Sequence, residues 1–190
     1  MVTGHFGLAV GVKQFAPRLP MWTLMLATFW LDIIFIILSV FGFESYRPMD
    51  PARPRYGEII IDALYTHSLV GAMLIAIVTG WFASLRWKRE GGLVTAAVVF
   101  SHWLLDLLVH RPDLPILPGN IGDLPLLGFG LWSRPLLSGF IELVLALSGA
   151  YFYFLSTTAL NGNQPRRARM VSVITGALLL LLFLTNVMGL

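Results

Sequence analysis

Residues 91–113 read GGLVTAAVVFSHWLLDLLVHRPD, and this stretch decides what kind of chain it is. An uncharged apolar run meets His102, Asp106 and His110, each four residues apart. On a helix that spacing puts all three on one face. Two imidazoles and a carboxylate on one stripe of a lipid-grade helix are costly unless something pairs with them. A divalent metal such as zinc pairs with both ligand types at once.

The surrounding composition fits a membrane setting. Of 190 residues, 57% are hydrophobic and only 12% are charged, which is the balance of a polytopic membrane protein and of one domain. The net charge of +3 does not point to nucleic acid, because the basic residues fall in short loops between apolar runs. Without cysteine, disulfides, thiolate ligands and a cysteine nucleophile are excluded. The N-terminal stretch is a poor signal peptide, with no Lys or Arg ahead of its apolar part and no small-residue cleavage site after it. There is no internal repeat.

The hydropathy pattern predicts an all-α helical bundle with five transmembrane spans, at 21–43, 58–85, 91–110, 131–155 and 170–190. Residues 3–16 are apolar but shorter than the roughly 20 needed to cross a bilayer. They are expected to be a half-helix, hairpinned onto the first span through the turn at Pro17 and Pro20. Gly4, Gly7 and Gly11 share one face of it, where a neighbouring helix can approach closely. Counted from the centre of that turn, His5 and Asp32 are equidistant, so a hairpin brings them to one depth. The loop 111–130, with four prolines and several apolar residues, is expected to lie on the membrane surface or cap a cavity. Trp22, Trp81, Trp87, Trp132, Tyr46 and Tyr56 read as an interfacial belt, and Trp103 as packing.

Orientation follows from the basic residues. Lys13, Arg18, Arg86, Lys88, Arg89, Arg166, Arg167 and Arg169 fall on one side, against Arg47, Arg53, Arg55, Arg111 and Arg134 on the other. The larger group marks the cytoplasmic side, with the C-terminus outside.

All four histidines (His5, His67, His102, His110) lie in or at the edge of apolar segments, as do Asp32, Asp62, Asp106 and Glu142. No Lys or Arg sits inside the long spans. A metal, protons or polar hydrogen bonds must therefore satisfy the acids at depth. Along a helix, His102 and Asp106 are about 6 Å apart and His102 and His110 about 12 Å apart. One ion can take His102 with Asp106 but not all three. His110 is then either an outer residue, or two ions about 3.5–4 Å apart share the face. Each residue also has a plainer reading: His5 as a hydrogen-bonded structural histidine, Asp62 facing water near its loop, Glu142 bridging helices, Arg111 anchoring at the rim.

The combination of Gly4-His5-Phe6, Lys13 and Pro17, Asp32, Thr66-His67-Ser68-Leu69, and Ser101-His102-Trp103 with Asp106 and His110-Arg111-Pro112-Asp113 resembles a bacterial family. This is the membrane-bound metal-dependent hydrolase-like group, often labelled permeases and distantly similar to zinc-dependent phospholipase C. The resemblance runs from about residue 4 to about residue 145. It implies a divalent metal of the zinc type, bound by His5, Asp32, His67, His102 and Asp106, in a multi-pass protein of the bacterial inner (plasma) membrane. Many members carry Pro-Asp-x-Asp where this chain has Leu31-Asp32-Ile33-Ile34. The missing second acid favours one ion over two, or a site without turnover.

The expected function is hydrolysis of a lipid or lipid-linked phosphate ester, because the site opens into a lipid bilayer. Asp32 or Glu142 would be the general base and Arg111 would hold an anionic head group. A proton- or ion-coupled permease could use the same residues as a relay, and an accessory subunit of a larger membrane complex could carry the site without catalysis. No inverted pair of interrupted spans supports the permease.

Overall fold

A computed structural model describes residues 1–49, 59–160 and 165–188. Arg53, Arg55 and Tyr56, used above for orientation and for the aromatic belt, lie outside the described residues. The elements run α1 (Val2–Val12), α2 (Met21–Thr28), α3 (Trp30–Val40), β1 (Ser45–Pro48), β2 (Ile59–Asp62), α4 (Leu69–Val109), α5 (Pro135–Leu160) and α6 (Pro165–Met188). The chain is mostly helical, as the apolar runs require.

By length and apolar character three helices can cross a membrane: Leu69–Val109, Pro135–Thr158 and Arg166–Val187. The pair α2–α3 makes a fourth if it counts as one broken span. The expected count of five is not reached on this measure, for two physical reasons. First, the span expected at 21–43 is not continuous. It breaks at Phe29, and its halves meet at 50°. Neither Pro nor Gly stands there. The break is instead occupied by hydrogen bonds, the Thr28 carbonyl taking His102 and the Thr28 hydroxyl donating to the His5 carbonyl.

Second, the span expected at 58–85 is not helical before Leu69. Ile59–Asp62 pairs antiparallel with Ser45–Pro48, so Tyr46 faces Ile61 and Arg47 faces Ile60. Asp62 is exposed and accepts from Ser45 Oγ at 3.0 Å, which matches its water-facing reading. The helix that starts at Leu69 then continues to Val109 as one 41-residue element. It is not straight. Trp87 and Lys88 leave helical geometry, with Lys88 at φ 59°. The two arms fold against each other so closely that a Cβ on Gly80 would lie 2.6 Å from the Ala96 Cβ. Trp22 packs edge-on against Trp87, and Arg18 approaches Glu90, so this reversal shares one end of the bundle with the 13–20 turn.

The short helix α1 is held from the other side than expected. Besides meeting α2, it lies on α5. Gly7 is the close-approach point: a Cβ there would sit 2.7 Å from the Leu145 carbonyl oxygen and 2.8 Å from the Ala146 backbone. Glu142, fully buried on α5, accepts the first-turn amides of Thr3 (2.8 Å) and Gly4 (3.3 Å) and the Asn186 side chain of α6 (3.2 Å). One acid thus caps α1 and ties three helices together, where a negative charge favours the helix start.

The loop 111–130 folds over the end of α4. Pro115 and Ile116 carbonyls accept the first amides of α4, from Leu69 and Val70, and Leu114 is buried against Leu127. Much of the outer surface is apolar, including Leu178, Leu181 and Leu184 on α6 and Leu136 and Leu147 on α5. A bilayer is the medium that covers such a surface.

Replacing Gly7 with Leu forces α1 off the backbone of α5. Overpacking at this contact is expected to cost about 1–3 kcal/mol, read as lowered thermal stability in detergent relative to a Leu8→Ala control.

Candidate metal centre

The His/Asp stripe of α4 faces inward, and three other segments deliver side chains to it. Asp32 arrives in the first turn of α3, which the Phe29 break re-aims. His67 arrives on the turn before α4, and His5 on α1. His5, His67, His102 and His110 are all nearly fully buried, and Asp106 is 4% exposed. The Asp32 side chain is 26% exposed, so the cluster is open on that side.

Four donor atoms converge. The His67 Nε2 lies 3.5 Å from Asp32 Oδ1 and 3.6 Å from Asp106 Oδ2. The His102 Nε2 lies 3.4 Å from the same Asp32 oxygen and 3.1 Å from the same Asp106 oxygen. A tetrahedral ion with bonds near 2.1 Å has donor-to-donor edges of about 3.4 Å. Two groups, His5 with His102 and Asp106, and Asp32 with His67 and His102, each have ligand atoms within 4.8 Å of one another and could hold a metal ion.

The protonation pattern of three imidazoles can be read from their other nitrogens. His102 Nδ1 lies 2.6 Å from the Thr28 carbonyl oxygen, which only accepts, so Nδ1 carries the proton. His110 Nδ1 donates in the same way to Asp113 Oδ1 at 2.9 Å. His67 Nδ1 contacts the Thr66 hydroxyl at 2.9 Å. In all three rings Nε2 is the nitrogen that faces the carboxylates. Such partners on the far nitrogen are the usual supports of metal-bound histidine.

His102 Nε2 shows what the pattern lacks. It is buried 3.4 and 3.1 Å from two carboxylate oxygens, yet makes no hydrogen bond. Among the described residues the ion-pair partners of Asp32 and Asp106 are all histidines. Two carboxylates kept from water without Lys or Arg need a cation or protons. The donor set and the orphaned nitrogen fit a divalent ion.

His5 plays a different part. Its Nε2 meets Asp106 through the other oxygen, Oδ1, at 3.0 Å, and its ring stacks on that of His102 at 3.9 Å. His5 and Asp32 do reach one cluster, as their equal spacing suggests, but through His102 and Asp106 rather than by touching each other. His110 Nε2 is 3.9 Å from Asp106 Oδ2, the contact that four-residue spacing gives, because its amide still bonds the Asp106 carbonyl and its φ of -60° is helical.

Of the expected catalytic residues, Glu142 is placed elsewhere and Arg111 at the rim. The carboxylate of Glu142 is committed to Thr3, Gly4 and Asn186, so it is not available as a base. Arg111 is partly exposed at the rim, where its guanidinium reaches Met49 Sδ at 2.8 Å. Trp103 is more than packing: its indole donates to the His67 carbonyl at 2.8 Å. Trp132 lies over the His110 ring at 4.5 Å. Sequence reasoning also passed over Glu44. It is 3% exposed and accepts from Thr66.

No family model, no curated protein and no solved structure matches this chain.

Adding Zn2+ to metal-free protein at one hundred times its dissociation constant is expected to raise stability by about 2.7 kcal/mol. Differential scanning fluorimetry reads this as a higher melting temperature. His102→Ala is expected to abolish the response.

Proposed function

We propose that this chain is a membrane-embedded, metal-dependent hydrolase of a lipid or lipid-linked phosphate ester. The observation that carries the reading is the set of four donor-to-donor distances, 3.1–3.6 Å, among His67, His102, Asp32 and Asp106. His102 is common to both three-residue groups that could hold an ion, so the carboxylates and imidazoles meet around its Nε2. The ligands we assign are His67, His102 and Asp106, which leaves the fourth position to water with Asp32 beside it. His5 holds Asp106 from its second oxygen.

A divalent ion there supplies Lewis acidity and lowers the pKa of coordinated water to about 7. The chain's own residues do the rest. Asp32, the more open of the two carboxylates, takes the proton from the attacking water. Arg111, which directly follows His110, pairs with the phosphate at the rim. The water oxygen forms the new bond to phosphorus, the ester oxygen leaves, and solvent returns a proton to it. The apolar outer surface keeps the substrate in the lipid phase.

Counting each arm of α4 and the broken pair α2–α3 as one crossing, with α5 and α6, gives five crossings. Orientation by basic residues then leaves the C-terminus outside. The plasma membrane of a bacterium is the setting that the sequence resemblance favours.

The test is hydrolysis of phospholipid and of a soluble phosphodiester by zinc-loaded, detergent-purified protein. Chelation should abolish turnover, and Asp32→Asn should lower kcat by roughly 10^2–10^4. Stoichiometric zinc with no turnover of either substrate removes the hydrolase reading and leaves the metal site. Proton flux in proteoliposomes that is lost in Asp106→Asn, with no bound metal, replaces both by a relay.

A further inference from the structure

Glu44 stands apart from its surroundings. Every other described residue from Val40 to Met49 is exposed, yet Glu44 is 3% exposed. Burying a carboxylate is costly unless its lone pairs are taken. Here they are: Oε1 accepts from Tyr65 N at 2.8 Å and Thr66 N at 2.9 Å, and Oε2 accepts from the Thr66 hydroxyl at 2.8 Å. Among the described residues it has no Lys or Arg partner.

The Thr66 hydroxyl has one proton. An ionised carboxylate only accepts, so that proton goes to Glu44. The same oxygen then has only a lone pair for His67 Nδ1, 2.9 Å away, and Nδ1 must donate. The direction of the whole chain is fixed from its outer end. We propose that Glu44, acting through the Thr66 hydroxyl, is the positioning residue that holds His67 in the Nδ1–H tautomer with its Nε2 lone pair aimed at Asp32 and Asp106. For His102 a backbone carbonyl does this work, so only the His67 arm depends on a side chain two links away. The tautomer stands independently of any ion, and the effect on ion affinity rests on the metal reading above.

A purely structural Glu44 would merely tie down the turn through the Tyr65 and Thr66 amides. Thr66→Val separates the two roles, since it keeps those amide bonds and removes the hydroxyl. The experiment compares wild type, Glu44→Gln, Thr66→Val and Thr66→Ser by 15N NMR of the His67 ring in metal-free protein and by zinc titration. Wild type and Thr66→Ser should show a single tautomer protonated at Nδ1. Thr66→Val and Glu44→Gln should show mixed tautomers and bind zinc about 10–100-fold more weakly. If Glu44→Gln does not fold, the Val and Ser pair at Thr66 decides. Unchanged tautomer and unchanged affinity in Thr66→Val overturn the proposal while leaving the metal site intact. A tautomer lost in Thr66→Val, in a protein that binds no zinc even as wild type, upholds the positioning role and removes the metal reading.

Discussion

Two carboxylates, Asp32 and Asp106, share a largely buried space with imidazoles and, among the described residues, with no ammonium or guanidinium. That constraint orders the rest of the molecule. The acids need a cation or protons, and the cluster is open where Asp32 is part-exposed. The protein meets the constraint by giving three of the rings a partner for the far nitrogen: the Thr28 carbonyl for His102, the Thr66 hydroxyl for His67 and the Asp113 carboxylate for His110, while His5 Nδ1 is buried without one. The near nitrogens face the same carboxylate oxygens. Carboxylates gathered this way call for a cation or for protons on the rings.

The same constraint explains the irregular parts of the fold. The bend at Phe29 gives up helical continuity and gains two things, a carbonyl for His102 and a helix start at which Asp32 is favourably placed. The β-hairpin gives up helix in the region before α4 and gains Glu44, which reaches beneath the turn carrying His67. The 111–130 loop folds back on α4 so that Asp113 meets His110. In each case backbone regularity is lost where a histidine needs a partner.

The helical class, the five-residue cluster and the glycine face of α1 were legible because each leaves a periodic or depth-dependent mark. Polar residues in apolar runs stand out, and His67, His102, Asp106, Asp32 and His5 do converge. The break at Phe29 was not legible, since its cause is a histidine 74 residues away rather than a local Pro or Gly. The strand at 59–62 was hidden because Ile59, Ile60 and Ile61 suit a membrane helix as well as a strand. Helical arithmetic set His110 apart from the ligands of a single ion, and its Nε2 stays 3.9 Å from Asp106 Oδ2, outside both groups that could hold a metal. Glu142 looked like a spare base because its partners, the amides of Thr3 and Gly4, are backbone groups that carry no mark in the sequence. Glu44 escaped notice for the opposite reason, lying in a polar loop where an acid is ordinary.

The indole of Trp103 donating to the His67 carbonyl has a mechanical meaning. Trp103 is adjacent to His102, so this bond ties the backbone of one imidazole directly to the backbone of the other. The gap between the two rings is thereby gauged by a rigid bicyclic side chain and not by how deeply each segment sits in lipid. Bilayers differ in thickness, and helices tilt to follow them. A pair of rings coupled through one indole rides such tilting as a unit and keeps its bite.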